Sequence, residues 1–508
     1  MKYFLILLFI ISINLNAQKR NYIWCFGDSA GIDFNNISSP SVFSTGNDTH
    51  GSNCAIADSS GNLLFYASTS YLPYYLSGNV YMGAIFNKNH TLMANGDSSI
   101  GLLFYNEVII IPLPSDDSLY YVFFAGVGPI YGLYYTLVNL NANGGLGIVL
   151  SKNNQLVPFA QIDCLNAIKH GNGRDWWLFF RQRYPSSFTP NNEFYSFLIS
   201  PAGITNFSMQ NVGSLQTDGG GKLTFSKNGN ILIYSGWRGL IEKYDFDRCT
   251  GIISNPITIQ PENTVNFDTL WVSNEISPNS NILYVSTSDF TSFLFQYDLT
   301  APNIAASRQT IWSTNYPVNS GGTLKRGPND KIYLACRYTN AVYPYPDSVF
   351  NMYNMNLSVI NQPDSLGAAC DFQPYSFYLG GKRTYWGLPN NPDYDLGCDT
   401  TGGCPCLTGV PGIEQGITKA ELFVTWVSSW QKLFVNAQHL KGRMVTVEVF
   451  NVAGKNLAPG PSPQKRGASP NTGYFTQDIF LPNLSAGVYV VKLQTEKETL
   501  SRKFVVSE

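Results

Sequence analysis

Six stretches of the chain repeat one pattern of polar and apolar positions. Each begins with a short polar turn built on Asn, Asp, Ser or Gly and continues into an apolar and aromatic run with strand preferences. In the clearest copy, residues 226–230 form the predicted turn and Ile231–Tyr234 the predicted strand. The six turns centre on Gly61, Asp117, Gly173, Gly229, Ser280 and Asp330. The pattern therefore predicts six β-hairpins along one array.

Successive turns are about 50 to 56 residues apart, and each is followed by a further run of alternating aromatic and polar residues. A repeat of this length with strand content throughout is typical of a β-propeller. The first segment, 22–34, and the last, 376–388, lack the turn, and together they could make one shared blade. We therefore predict an all-β protein with a seven-bladed propeller over 21–391. Six blades with appended ends is the alternative.

The two ends of the chain differ from the array. Residues 1–18 place one Lys before the apolar run 3–13, which is typical of a cleaved secretory signal, with the cut predicted between Ala17 and Gln18. Cys25 follows Tyr-Ile-Trp, which is unlike the small residues that precede a lipoprotein cysteine. No other apolar run approaches transmembrane length. We therefore expect export and no transmembrane segment after signal removal.

Beyond the array the composition changes twice. Residues 392–418 are rich in Gly, Pro and Cys and show no strand pattern, so they are predicted to form a linker. Six or seven short strands over 419–508 predict a small immunoglobulin-like β-sandwich.

Composition narrows the class of partner. Charged residues make up 13% of the 508, and the net charge is -2. This balance lacks the basic excess that binding to a phosphate backbone requires, so no nucleic-acid partner is expected.

All nine cysteines follow the signal, and an odd number in an exported chain leaves one thiol unpaired. Cys398, Cys404 and Cys406 are the first candidates for pairing because the linker is predicted to be flexible. Three others lie in strand-like runs and are predicted to be small buried residues: Cys164, Cys249 and Cys336.

No motif points to a catalytic centre or a cofactor. The histidines His50, His90, His170 and His439 form no ligand pair, and a structural role is favoured for His170 in its turn. Calcium is the one cofactor that stays open, since acidic residues could gather at one mouth of a propeller, although turn capping explains them equally well. The candidates are Asp163, Asp175, Asp245, Asp247 and Asp298. No calcium-loop, nucleophile-elbow or phosphate-loop motif is present.

Tryptophans are the other candidates for a ligand surface. Among them, Trp176, Trp177, Trp271, Trp312 and Trp386 could line a sugar-binding groove, although packing between blades is the favoured interpretation.

Three motifs near the C-terminus occur in a fixed order: 447–455, 484–491 and 502–506. In these motifs the end of the chain resembles the type A C-terminal sorting domain of the type IX secretion system. The motif residues are Asn451, Gly454, Leu484, Gly487, Tyr489, Lys503 and Phe504. The resemblance implies export to the periplasm, recognition by the type IX machinery, and delivery outside the outer membrane, where the protein is secreted or held at the surface.

The array itself is similar to propeller regions of secreted Bacteroidota proteins in phrases such as 171–177, 357–361 and 385–390. This resemblance implies a seven-bladed fold and no catalytic residues to transfer. The leading hypothesis is an exported binding or adhesion protein with a glycan or protein ligand, and an enzyme is the less favoured reading. The alternatives are a propeller hydrolase or lyase acting on polysaccharide or ester substrates, and a structural surface component, because the fold hosts all of these.

Overall fold

The structure is a computed structural model that describes most of the chain from Gln18 onward. The described residues are 18–71, 73, 81–102, 104–114, 116–127, 131–183, 189–217, 219–263, 270–288, 291–315, 318–319, 322–338, 349–385, 387–407, 420–427, 431–438, 440–441, 446–457 and 475–506. The predicted signal up to Ala17, His439, Trp386 and residues 408–418 of the predicted linker lie outside these ranges.

Seven successive antiparallel sheets of three or four strands make up the array in the described residues. The first three sheets contain β1 (Ile23–Phe26), β2 (Asp28–Asp33) and β3 (Ser41–Asp48); β4 (Asn53–Ala57), β5 (Leu63–Ser68) and β6 (Ala84–Asn87); β7 (Val108–Pro112), β8 (Leu119–Val127), β9 (Tyr131–Asn139) and β10 (Ile148–Val157). The next two contain β11 (Asn166–Lys169), β12 (Trp176–Phe180), β13 (Asn191–Ser200) and β14 (Gly203–Gln216); β15 (Gly221–Phe225), β16 (Ile231–Gly236), β17 (Ile241–Asp247) and β18 (Ile252–Gln260).

The last two sheets of the array complete the series. They contain β19 (Leu270–Ile276), β20 (Ile282–Ser288), β21 (Thr291–Asp298) and β22 (Gln309–Asn315); β24 (Leu324–Arg326), β25 (Ile332–Leu334), β27 (Asn356–Ile360) and β28 (Phe372–Tyr378). A separate pair is formed by β23 (Val318–Asn319) and β26 (Arg337–Tyr338). Short 3₁₀ turns occur at Asn143–Gly145, Ala305–Ser307 and Gly367–Cys370.

Each of the six predicted turns joins the first strand of a sheet to the second. In the turn between β15 and β16, the Ile231 N–H donates to the Ser226 hydroxyl over 3.0 Å, and Gly229 adopts a φ of +79°. Ser280 and Asp330 take the same left-handed position in their turns, with φ of +66° and +60°. Asx and Ser side chains can stabilise such turns, which is why the polar pattern identified these hairpins.

The ring closes where the first sheet packs against the last. Trp24 lies edge-on to Phe34 and Tyr333, with ring centroids 4.9 and 5.5 Å away. Elsewhere, the first strands of neighbouring sheets are joined by side-chain hydrogen bonds, as from Asn166 to the Leu223 carbonyl. The predicted all-β class and propeller are confirmed, and the seven sheets are consistent with the predicted number of blades.

The predicted sharing of a blade between the chain ends differs from the structure. The first segment forms its own three-stranded sheet, in which the chain turns between β1 and β2 at Gly27. The last segment does not join this sheet, because its residues 376–378 belong to β28 of the last sheet. The late segment is linked to the first sheet by an isolated bridge and a 3.2 Å salt bridge between Asp28 and Arg383, and Leu379 and Leu388 pack in the core of that sheet.

The C-terminal domain consists of two three-stranded antiparallel sheets around one apolar core. One sheet contains β29 (Glu421–Val427), β30 (Lys432–Gln438) and β32 (Phe475–Phe480), and the other contains β31 (Thr446–Asn451), β33 (Gly487–Gln494) and β34 (Thr499–Val506). Buried Leu433, Val491 and Leu493 lie in the core between them. This arrangement is consistent with the predicted β-sandwich.

Candidate functional site: the axial cavity and the upper face

The centre of the propeller is occupied by residues 387–396, which we call the axial segment. The Asn390 N–H donates to the carbonyl of Asn53 in β4, and its Nδ2 donates to the carbonyls of Val108 and Leu165, 3.2 and 2.9 Å away. On another side of the ring, the Leu388 N–H donates to the Thr323 hydroxyl over 2.6 Å. The axial segment therefore bonds to several sheets at once.

Tyr394 is the most deeply buried anchor of the axial segment. Its side chain is fully buried, and its hydroxyl donates to the carbonyl of Ile110 over 3.0 Å. The Cys54 sulfur lies 3.4 Å from the same hydroxyl, and the Trp176 ring meets the phenol edge-on at 5.9 Å. A buried tyrosine stabilises a fold when its hydroxyl has a hydrogen-bond partner and its ring packs against other side chains.

The described part of the predicted linker, 392–407, lies in and across the ring. The Asp399 N–H donates to the carbonyl of Gly171 over 2.7 Å, and the Leu407 N–H donates to that of Asn172 over 2.8 Å. Both acceptors belong to the turn between β11 and β12, so the chain leaves the channel at the end that carries the predicted turns. We call this end the lower face and the opposite end the upper face.

Two disulfides hold the exit of the axial segment, Cys249–Cys404 and Cys398–Cys406. The prediction that Cys249 is a buried strand residue was wrong, because it lies in the turn between β17 and β18. Cys164 and Cys336 are buried free thiols, as predicted.

A cavity of about 320 Å³ lies beside the axial segment. One group of charged side chains in its lining surrounds Glu275, whose carboxylate is 3.8 Å from the Lys222 Nζ and accepts the Arg326 N–H over 3.1 Å. A second group is acidic and consists of Asp393 and Asp395, with the Asp395 N–H donating to the Asp393 carboxylate. Charged side chains of both signs therefore line the same cavity.

Burial shifts the pKa values of three cavity side chains in the direction that favours the neutral form of each group. Burial lowers the pKa of the Lys222 ammonium to about 8, and the Glu275 carboxylate opposes this shift. Burial also lowers the pKa of Lys325, whose ammonium donates to the carbonyl of Asn391. Burial and the neighbouring Asp393 raise the pKa of Asp395 to about 6. Of these groups, Lys222 and Asp395 have pKa values within about one unit of 7.

A stacked aromatic pair lies on the upper face. Phe104 precedes β7 and Trp237 lies between β16 and β17, and their ring centroids are 5.6 Å apart with an interplanar angle of 24°. Both side chains are partly exposed. Trp237 lies directly on Gly220, where a Cβ would be 2.2 Å from the indole, so only glycine permits this contact. The sequence does not reveal this aromatic pair, because Phe104 and Trp237 belong to separate sheets and neither residue lies in a motif.

Polar side chains border the aromatic pair. Arg183 packs near Gly219, the residue before the glycine that supports Trp237. The Arg238 guanidinium donates to the Thr217 hydroxyl over 2.6 Å, and this hydroxyl donates to the Glu262 carboxylate over 2.6 Å. The upper face thus combines an aromatic surface with charged hydrogen-bonding groups.

Two buried acids also lie on the upper side. Asp163 accepts the N–H groups of Tyr105 and Asn106, and burial raises the pKa of its carboxyl to about 7. Burial and the neighbouring Asp163 raise the pKa of Glu107 well above its usual range. These two groups stabilise a loop and are not exposed to a ligand.

The structure does not bring the five candidate aspartates together. Asp163 is on the upper side, whereas Asp175, Asp247 and Asp298 lie at or beside lower-face turns, and Asp245 accepts a hydrogen bond from Asn255. Asp247 and Asp298 accept N–H groups of their own turns, from Cys249 and Thr300. Among the described residues, no three His, Cys, Asp or Glu side chains form a group able to hold a metal ion.

The histidine and tryptophan candidates are mainly structural. The His170 Nδ1 lies 3.0 Å from the Asn172 N–H in its turn, and the His90 Nδ1 lies 3.3 Å from the Tyr66 hydroxyl. His50 packs against Tyr385. Trp176 and Trp177 are buried, and Trp312 packs between Phe372 and Tyr375. The side chain of Trp271 lies outside the described part of the structure.

The C-terminal motif residues form turns and core contacts. The Asn451 side chain accepts the N–H groups of Ala453 and Lys455, and Gly454 between them has a φ of +77°. Tyr489 and Phe504 stack across β33 and β34 with centroids 5.4 Å apart. Leu484 packs against the same core, Gly487 begins β33, and Lys503 is exposed. Their individual roles in secretion stay predictions.

Residues 431–507 match the family described as "Secretion system C-terminal sorting domain". The C-terminal domain is a type IX secretion sorting domain. The sorting domain implies interaction with the type IX machinery and delivery to the outer-membrane surface or the medium. No curated protein matches the chain. Within the described residues, no helix combines the length and apolar character needed to cross a membrane.

Solved structures similar to this chain include β-propellers with very different sequences. The Cps50 (Swd1) β-propeller domain of Myceliophteria thermophila is 8% identical with a TM-score of 0.32, over 63% of this chain and 94% of that one. Hsv2 of Kluyvelomyces marxianus is 8% identical with a TM-score of 0.32, over 67% and 92% of the two chains. Sqt1 of Saccharomyces cerevisiae is 10% identical with a TM-score of 0.30, over 68% and 83%.

Proposed function

We propose that this secreted protein is a binding protein whose propeller holds an extracellular saccharide on its upper face. The observation that carries the proposal is the partly exposed Phe104–Trp237 pair with Arg238, Thr217 and Glu262 beside it. A pyranose ring has an apolar face that packs on an aromatic surface and hydroxyl groups that exchange hydrogen bonds with charged side chains. Binding sites commonly combine an apolar surface with a few fixed polar groups in this way.

The position of the pair also supports binding. In the described part of the chain, the segment that leaves the axial segment crosses the lower face with its two disulfides, which favours the upper face for a large ligand. Connections between second and third strands also lie there, and loops on a rigid scaffold are frequent binding elements. The sorting domain delivers this face to the exterior of the cell.

The experiment is a glycan array with the purified full chain, followed by calorimetry on the best saccharide. Trp237→Ala should weaken binding at least about tenfold, because the stacked surface is lost. Tyr131→Ala is the matched control, since this exposed aromatic lies on the upper face at the start of β9. Retention of saccharide affinity in Trp237→Ala, or binding to proteins and to no saccharide, would overturn the proposal. Cleavage of the bound saccharide would reassign the site to a hydrolase or lyase.

A further inference from the structure

Residues that line the axial cavity carry three buried polar atoms that lack partners among the described residues: the donor Asn391 Nδ2 and the acceptors Asn21 Oδ1 and Asp395 Oδ1. The Asn391 Oδ1 accepts the N–H of Ala55 over 2.8 Å, which fixes the orientation of the amide and leaves its Nδ2 as an unpaired donor. The Asp395 Oδ2 accepts the Arg20 N–H over 3.1 Å, which leaves its Oδ1 as an unpaired acceptor. Asn391 is 4% exposed, and both residues line the cavity. Buried polar atoms of this kind normally have a partner.

The charged side chains around the cavity form a positive group and a negative group, and Asp395 with its unpaired acceptor belongs to the negative group. Lys222, Lys325 and Arg326 outnumber the Glu275 carboxylate, so this group is cationic. Asp393 and Asp395 form the anionic group. The remaining charged pair of the lining, Lys227 with Asp330, is closed on itself by a 2.7 Å salt bridge with both side chains about half exposed. A ligand inside would therefore meet a positive region and a negative region.

We propose that the axial cavity binds a small zwitterion, such as a free amino acid or a dipeptide. Its carboxylate would accept hydrogen bonds from Asn391 Nδ2 and from the Lys325 ammonium, whose bond to the Asn391 carbonyl uses one of its three donors. Its ammonium group would donate to Asp395 Oδ1. Lys222 contributes charge only, because its ammonium already donates to the carbonyls of Asn274 and Leu324. Each end of the ligand thereby meets one unpaired atom and one matching charge group. The volume of about 320 Å³ lies at the lower end of the range of small-molecule sites. The site is separate from the upper face.

The experiment compares three peptides that differ only at their charged ends. Calorimetry on the full chain at constant ionic strength uses L-alanyl-L-alanine, its N-acetyl derivative and its C-terminal amide. The zwitterion should bind, and loss of either charge should weaken binding at least about tenfold, since a charge-assisted hydrogen bond is removed. Because the protein is unchanged across the series, folding cannot explain a difference. Equal affinity for all three peptides would show that the charged ends are not recognised, and no binding of any would show that the cavity does not take a peptide. Either result would overturn the proposal.

A variant then tests the assigned ends. Asp395→Asn should abolish the preference for the free ammonium group and keep the preference for the free carboxylate. Asp298→Asn is the matched control, because Asp298 is exposed to solvent in a lower-face turn and does not line the cavity. A preference unchanged in Asp395→Asn would contradict the assignment. Trp237→Ala should leave peptide binding unaffected, which separates this site from the proposed saccharide site.

Discussion

Cys249 and Cys404 are joined by a disulfide across 155 residues of chain, and this bond ties the β17–β18 turn to the end of the axial exit. The second disulfide, Cys398–Cys406, spans only 8 residues and closes a small local loop. An exported protein meets the oxidising conditions in which such bonds form. The two bonds therefore constrain the unfolded chain to very different extents.

We expect the paired substitution Cys249→Ser and Cys404→Ser to lower the free energy of unfolding more than Cys398→Ser with Cys406→Ser. The chain-entropy relation gives about 5 kcal/mol for the long loop and about 2.5 kcal/mol for the short one. Urea unfolding of both variants beside the unmodified protein measures the difference. Equal losses would mean that the long disulfide does not act by constraining the unfolded chain.

Tyr394 should be the most sensitive position of the axial segment. Tyr394→Ala removes a fully buried ring and should cost about 3 to 5 kcal/mol, whereas Tyr394→Phe loses only the bond to the Ile110 carbonyl and should cost about 1 kcal/mol. Tyr378→Ala is the control, because this ring is 56% exposed. Thermal unfolding measures the series. A small effect of Tyr394→Ala would indicate that the axial segment contributes little to stability.

The fold was predictable where local chemistry determines it. The turns at Gly229 and Ser280 need a left-handed residue and a side-chain acceptor, and both requirements are visible in a few neighbouring residues. The axial segment was not predictable, because its position depends on distant partners such as Val108 and Leu165 for Asn390. Its lack of strand periodicity indicated only a linker.

The candidate sites show the same division between local and distant contacts. The sorting motifs were recognisable because each is a few neighbouring residues, as for Tyr489 in β33 and Phe504 in β34. The cavity and the aromatic pair come from residues of several sheets, such as Phe104 and Trp237, whose sequence separation hides their contact. Cys249 was misjudged for the same reason, since its partner lies beyond the last sheet of the ring.

Stability should fall as pH rises from about 4 to 7, in part because of Asp163. The pKa of this carboxyl is about 7 in the folded protein and lower in the unfolded chain, so the folded state holds the extra proton and the stabilisation is lost at higher pH. One such group contributes a slope of up to about 1.4 kcal/mol per pH unit.

Urea unfolding at a series of pH values from 4 to 8 tests this expectation. Asp163→Asn should flatten the slope even if it lowers stability at every pH, because its amide does not titrate. Asp298→Asn is the control, since the hydroxyl of Thr300 lowers the pKa of that exposed carboxyl. A slope that Asp163→Asn leaves unchanged would assign the proton to another group, with Glu107 the first to be tested.

The sorting domain presents an exposed apolar pair that we expect to contact the secretion machinery. Val488 and Val505 face each other across β33 and β34 and are 40% and 66% exposed. Val505→Asp should reduce the amount of protein in the culture medium several-fold while urea unfolding stays unchanged, because the side chain does not enter the core. Phe480→Asp is the control, because this residue of β32 is 57% exposed and lies outside the three sorting motifs. Normal secretion of Val505→Asp would exclude this pair from recognition.

The axial segment changes how the ring can come apart. In a repeat protein whose units touch only their neighbours, each unit opens nearly independently and the total stability is a sum of local terms. Here Leu388, Asn390 and Tyr394 bond to residues of, or directly beside, β4, β7, β11 and β24. No one of these sheets can separate without breaking bonds to this common centre. Amide protons in these four sheets should therefore exchange with solvent in a single cooperative opening.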